Sequence, residues 1–195
     1  MSDLGTPAAG RDGHPGRRRA IGLARAKFMA GERLDMQGLA GELGIDRTTL
    51  FRWVGNRDQL VVSAIVSITL PTLRRVIASA EGSGAEMIAD VAERYARASI
   101  EADYFRKWLE SDPERVLRLL TSKASPLQRN VVAAFEQLLE DQYPAASAGM
   151  PLPLPDLAYL IVRIVESFVF SDLIAGNDPD WTKVGPAVAA LLRPR

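Results

Sequence analysis

The sequence contains no cysteine and a single histidine, His14, between Gly13 and Pro15. Without cysteine there are no disulfides, no thiolate metal sites and no thiol nucleophile. One histidine in a loose Gly- and Pro-rich stretch leaves a Ser-His-Asp triad or a His-rich metal cluster without material. A P-loop and a dinucleotide-binding glycine pattern are also missing. Acidic pairs such as Glu136 and Glu140 have the spacing of a solvated helix face. The reading is of a protein that is not an enzyme, with no catalytic residue, no metal and no cofactor. An excess of one charge is lacking too. The 24 Lys+Arg balance 24 Asp+Glu, which excludes a polycation or an acidic tail.

Long apolar runs are scarce. The stretch Leu157 to Ile174 is interrupted by Arg163 and Glu166, whereas a spanning helix needs about 20 mostly apolar residues without central charges. The opening MSDLGTPAAGRDGHPG has no apolar h-region, and its composition predicts a disordered leader over residues 1–15. A cytoplasmic protein that does not enter a membrane is expected.

What is present is helical periodicity. At 47% hydrophobic and 25% charged residues the chain can build a core. Ile21, Ala24 and Phe28 fall at helical spacing, as do Ile88, Val91, Ala92 and Tyr95, and again Leu127, Val131, Ala134, Phe135 and Leu138. Gly31 ends the first run. Asp112-Pro113 reads as a cap followed by a first helical residue, and Ser125-Pro126-Leu127-Gln128 as a capping box. Gly176-Asn177 stops a helix begun near Asp156. Pro71 should kink or split the run Asn56–Ala80, and residues 143–155 form a proline-rich loop. No alternating strand pattern occurs. The fold class is all-α, with about nine or ten helices.

The chemistry concentrates in Asp35–Leu60, DMQGLAGELGIDRTTLFRWVGNRDQL. Asp35 caps a short helix that buries Met36, Leu39, Ala40 and Leu43. Gly44 supplies the positive φ of a sharp exit, and Ile45 plugs the corner. Asp46 caps a second short helix that buries Leu50 and Val54. Two short helices joined by a three-residue turn make a helix-turn-helix. The second helix exposes Arg47, Thr48, Thr49, Phe51 and Arg52, with no carboxylate beyond its cap. That set suits a helix laid in a DNA major groove, with arginine as a bidentate partner of guanine. Asn56 and Gln59 have capping-box spacing, and Arg57 with the adjacent backbone N–H groups can face a phosphate. Residues 1–60 carry 10 Lys+Arg against 7 Asp+Glu, a mildly basic balance consistent with an anionic partner.

This segment resembles the DNA-binding domain of TetR-family transcriptional regulators. The resemblance covers about residues 17–65 and rests on Leu39-Ala40, Gly44-Ile45, Thr49-Leu50-Phe51, Trp53 and Arg57. It implies that Gln37, Arg47, Thr48 and Arg52 face bases, and that Thr49, Trp53 and Arg57 hold phosphates. Phe51 stands where the family usually has tyrosine, so it would press on a thymine methyl rather than hydrogen-bond. Gly38 and Gly41 each cost a helix about 0.5–1 kcal/mol relative to alanine, so the first short helix is expected to order fully on DNA. Within the family the chain is similar to the QsdR-type subgroup, through the stretch Ala30–Leu60, Pro71-Thr72-Leu73-Arg74, Leu117–Thr121 and Leu160–Phe168. That resemblance implies a link to lactone or quorum-signal breakdown.

The three expected parts are a leader at 1–15, a helix-turn-helix domain at 16–60, and a ligand-binding and dimerisation domain at 61–195. Two recognition helices must lie about 34–36 Å apart on DNA, so the remainder should supply a two-fold interface. The helices Pro126–Gln142 and Asp156–Ala175 are the candidates, the second apolar nearly all round. On it Tyr159, Arg163, Glu166 and Phe170 share a stripe. The charges either pair with each other or orient a ligand. Phe105 and Trp108, with Arg118 and Thr121, either wall a cavity or belong to the core.

The expectation is a homodimeric repressor that binds a palindromic double-stranded DNA operator and is released by a small, mostly apolar effector. A helical DNA-binding or protein-interaction module without an effector is the alternative.

Overall fold

The structure, a computed structural model, describes residues 14–122, 125–144 and 150–193. These form eleven α-helices and one 3-10 turn, with no strand among the described residues. Most of the expected leader (1–13) and residues 145–149 of the proline-rich loop lie outside the described residues. The chain divides into two compact units, Met1–Ser67 and Ile68–Arg195.

In the first unit α1 (Pro15–Met29), α2 (Met36–Leu43) and α3 (Arg47–Val54) each touch the other two. Their shared core is Ala20, Ala24, Phe28, Leu39, Ala40, Leu43, Leu50 and Val54. Leu34, in the connection before α2, joins them at 3% exposure. The expected Met36, Ile21 and Ile45 are half-buried. One expectation fails at the start. His14 is not leader: its Nδ1 accepts a hydrogen bond from the Gly16 N–H, and Pro15 takes the first helical position. α2 is helical over its full length, with Gly38 and Gly41 both on its exposed side.

α4 (Arg57–Ala78) runs uninterrupted through Pro71, which is exposed and does not split it. Proline lacks the N–H that would pair with the Ser67 carbonyl, and Ser67 is where the first unit ends. The hydroxyls of Ser63, Ser67 and Thr72 donate back to carbonyls of α4 itself, at 2.6–2.9 Å. α4, not the Leu157–Ile174 stretch, contains the longest uncharged run, Gln59–Leu73. It is the one helix among the described residues with the length and apolarity of a membrane span. Leu60, Val61, Ala64 and Ile65 are nevertheless buried within the protein, as in the core stripe of an amphipathic helix.

The second unit comprises the rest of α4, then α5 (Gly84–Ile100), α6 (Asp103–Ser111), α7 (Pro113–Thr121) and α8 (Pro126–Gln142). α9 (Leu154–Val169), α10 (Ser171–Ala175), the 3-10 turn Trp181–Lys183 and α11 (Val184–Leu191) complete it. α5 is central and packs on α6, α8, α9 and α11. α8 has the expected bounds, and Asp112 caps α7 as expected, accepting from the Arg115 N–H at 3.4 Å.

Two expectations for this unit are corrected. The helix starting near Asp156 breaks at Phe170, before Gly176. Arg106 donates to the Val169 carbonyl at 3.3 Å and pairs with Asp172, which draws that carbonyl out of the helical ladder. This extra break, with the short C-terminal elements, raises the helix count above the nine or ten expected. α9 buries one side within its own chain, and Leu160, Ile164 and Phe168 on its remaining surface are half-buried. Leu157, Ala158, Ile161, Val162, Val165 and Val169 are buried on one side, while Tyr159 and Ser167 are exposed on the other. The Ser125–Gln128 capping box does not form; neither side chain caps α8.

Candidate functional site

α2 and α3 are set by caps built into the sequence. The Asp35 carboxylate accepts from the Gly38 N–H at 2.7 Å. Gly44, at φ 69° and ψ 33°, makes the left-handed exit, and the Ile45 N–H returns to the Ala40 carbonyl at 3.0 Å. The Asp46 carboxylate then accepts from both the N–H and the hydroxyl of Thr49, each at 2.7 Å. These bonds hold the Asp46 carboxyl below its ordinary value of 3.8, the Thr49 hydroxyl being the larger cause. The backbone N–H of Gly38 does the same for Asp35.

With its axis fixed, α3 turns Leu50 and Val54 inward and leaves Arg47, Thr48, Phe51 and Arg52 exposed. Phe51 is the only large apolar side chain of this face, at 58% exposure. Gln37 of α2 is exposed as well. The residues implied as base contacts are thus the ones that reach outward. Those implied as phosphate contacts are half-buried and already engaged. Thr49 donates its hydroxyl to Asp46, so turning it to a phosphate would open that bond. Arg57 donates from Nε to the Leu34 carbonyl at 2.8 Å, which fixes the plane of its guanidinium.

Trp53 lies across the start of α1. Its ring centroid is 5.1 Å from that of His14. A Cβ added at Gly16 would overlap the Trp53 six-membered ring, so glycine is the residue that fits there without a shift. Sequence reasoning missed His14 and Gly16 as supports of the recognition helix. The His-Pro cap signal was present, but the glycine-rich surroundings concealed it. The Asn56–Gln59 box forms in full. The Asn56 N–H donates to Gln59 Oε1 at 2.8 Å and the Gln59 N–H to Asn56 Oδ1 at 2.9 Å.

The eight candidate ligand residues of the second unit fall into separate groups. Phe105 meets Trp108 at 6.2 Å and Phe170 at 6.5 Å between ring centroids. Phe170 is buried in that cluster, off the stripe expected on α9, because the helix ends before it. Arg163 pairs with Glu166 and lies over the Tyr159 ring at 5.8 Å. Arg118 is exposed, and the Thr121 hydroxyl donates to the Leu117 carbonyl. No group of His, Asp and Glu suited to a metal ion occurs among the described residues.

A three-helix unit with an outward-facing basic recognition helix, followed by a larger helical unit, defines a helix-turn-helix regulator architecture. Known proteins place it more narrowly. The tetracyclin repressor-like, C-terminal domain family matches residues 83–193. The transcriptional repressor QsdR of R. erythropolis, from the TetR family, is 30% identical with a TM-score of 0.82, over 91% of this chain and 94% of that one. The chain belongs to the TetR family of transcriptional regulators. The repressor AlkX from Dietzia sp. (20% identity, TM-score 0.61, 95% and 96% covered) shares the fold. So does the multidrug binding protein EbrR (18%, 0.57, 92% and 96%). No curated protein sequence matches the chain.

Proposed function

We propose that this protein is a homodimeric transcriptional repressor that binds a palindromic operator and leaves it when a small, mostly apolar molecule occupies the second unit. The observation that carries the DNA half is the face of α3. Arg47, Thr48, Phe51 and Arg52 are exposed together without a carboxylate among them, on a helix whose cap and core fix its axis. Arg47 and Arg52 offer bidentate donors to guanine, Gln37 and Thr48 add polar base contacts, and Phe51 meets a thymine methyl. Arg57, and Thr49 and Trp53 at the edge of the face, take the phosphates.

Two copies are needed because one such helix reads only half a palindrome. α8 and α9 supply the two-fold contact, with Tyr159, Leu160, Ile164 and Phe168 on the side of α9 not buried in its own chain. Phe105, Trp108, Arg118, Thr121 and Phe170, with Tyr159, Arg163 and Glu166, are the candidates for the effector and interface surfaces. The likeness to QsdR favours an effector related to lactone or quorum signals. An effector acts only through its affinity difference between DNA-competent and DNA-incompetent arrangements. The turn around Ser67 and Pro71, short of one backbone bond, is where α4 yields most easily.

The test is a footprint on the DNA upstream of the protein's own coding sequence, with the stoichiometry measured on the retarded complex. The reading expects protection of two half-sites about one helical turn apart by a dimer. Absence of salt-sensitive protection at any upstream palindrome contradicts it.

A further inference from the structure

A carboxylate is disfavoured near the C-terminal end of a helix, where unpaired carbonyls concentrate negative potential. Glu166 stands in the last turn of α9, which holds no basic residue. Its Oε2 is buried without a hydrogen bond, while 17% of its side chain remains exposed. Arg106, the cation that reaches this end of the helix, is taken by Asp172 and the Val169 carbonyl. Glu166 pairs instead with Arg163, three residues earlier. With the cation nearer the helix start, the pair runs against the helix dipole, the weaker order for such pairs. Its surroundings are apolar. The Arg163 guanidinium lies over the exposed Tyr159 ring, and Leu160, Ile164 and Phe168 are half-buried on the remaining surface of α9. A half-buried ion pair in such a surface adds little to folding. One positive and one negative group a turn apart do, however, give it the self-complementarity that a two-fold contact demands.

We propose that Arg163 and Glu166 select the partner across α9, and that this partner is a second copy of the chain. Arg163 of each copy pairs with the partner's Glu166, and the four charges close a ring about the two-fold axis. Each Glu166 thereby gains the second cation that its own helix does not supply. Tyr159, Leu160, Ile164 and Phe168 provide the apolar contact, while the charges set register and exclude unlike surfaces. Asp156, an exposed acid in the first turn of α9, is suited by the helix start and takes no part. The inference rests on the homodimer reading and deepens it by naming the groups that choose the partner.

The test reverses the charges in the full chain and reads association by analytical ultracentrifugation. Arg163→Glu puts two acids on each copy and Glu166→Arg two arginines. Each variant alone should dissociate at least about tenfold more readily than wild type. Mixed in equal amounts, the two should form a heterodimer, because every contact again joins opposite charges. The double reversal should return to a homodimer. A pair closed within one chain gives no rescue on mixing, since each variant copy lacks its own counter-charge. If a reversal unfolds the chain by circular dichroism, Arg163→Gln and Glu166→Gln replace it, and each should still weaken the dimer. Variants that dimerise like wild type, a mixture that does not pair, or rescue of Arg163→Glu by Asp156→Arg in place of Glu166→Arg would overturn the inference alone. A wild-type chain that stays monomeric both free and on DNA sinks the homodimer reading with it.

Discussion

In the first unit each of the four helices α1–α4 begins under a side chain two or three residues away: His14, Asp35, Asp46 and the Asn56–Gln59 pair. Among the described residues of the second unit only α7 and the 3-10 turn have such caps, from Asp112 and Asp180. The first N–H of α5 goes instead to Gln142 Oε1, and Arg106 reaches from α6 to Val169 and Asp172. The helix starts of the first unit are held by local bonds that survive small shifts in packing, with the Arg57–Leu34 bond as a longer brace. The second unit adds bonds between distant elements, which differ between packings and can be exchanged.

The largest expected effect strikes a distant bond. Arg106→Ala leaves Asp172 half-buried without its cation and should lower the unfolding free energy by about 2–3 kcal/mol in denaturant titration. A loss below 0.5 kcal/mol, the usual size for a surface pair, would mean that this unit too depends on local bonds. Gly16→Ala tests the brace on α3. The new methyl meets the Trp53 ring, and about 1–3 kcal/mol of stability should go with it. DNA affinity should fall more than for Gly22→Ala, where the added Cβ meets nothing. Third comes a matched pair of cap deletions. Asn56→Ala should cost about 1 kcal/mol, whereas Ser125→Ala, whose hydroxyl caps nothing, should cost none. Equal losses would erase the distinction between the units.

The smallest effect is a pH dependence. Asp35 and Asp46 have folded pKa values below the ordinary 3.8, so the unfolded chain binds their protons first as pH falls. Their contribution is fully present above that ordinary value and is lost as pH drops through the depressed ones. Amide protection in α2 and α3 should hold flat from neutral pH to about 5 and decline below 4. Asp46→Asn should abolish most of that decline in α3; a decline already under way at pH 6 would contradict the assignment.

The same contrast explains what was legible in the sequence. Asp35, Gly44, Asp46 and the Asn56–Gln59 box act within three residues of themselves, so spacing alone reveals them, and with them the exposed face of α3. The break at Phe170 was hidden because its cause, Arg106, lies in another helix. The capping box at Ser125 misled because burial of Gln128 along the α8 stripe overrides a local preference. Phe105 and Phe170 meet across 65 residues of chain, a separation that periodicity does not bridge. Of the kink or split expected at Pro71, the split does not occur, because an exposed proline on a helix whose hydroxyls bond neighbouring carbonyls is tolerated.

The central claim is that the α3 face enters a duplex while Arg57 grips its backbone. Fluorescence anisotropy of the full chain on its palindromic upstream duplex, repeated across a salt series for wild type, Arg52→Ala and Arg57→Ala, tests it most directly. For wild type, log K should fall steeply and linearly with log salt. Arg57→Ala should weaken all sequences alike and flatten that slope by about one unit per half-site. Arg52→Ala should cost about 1–3 kcal/mol on the palindrome but little on scrambled DNA. Identical affinities for palindrome and scrambled duplex in wild type, or a salt slope indifferent to Arg57, would contradict the account.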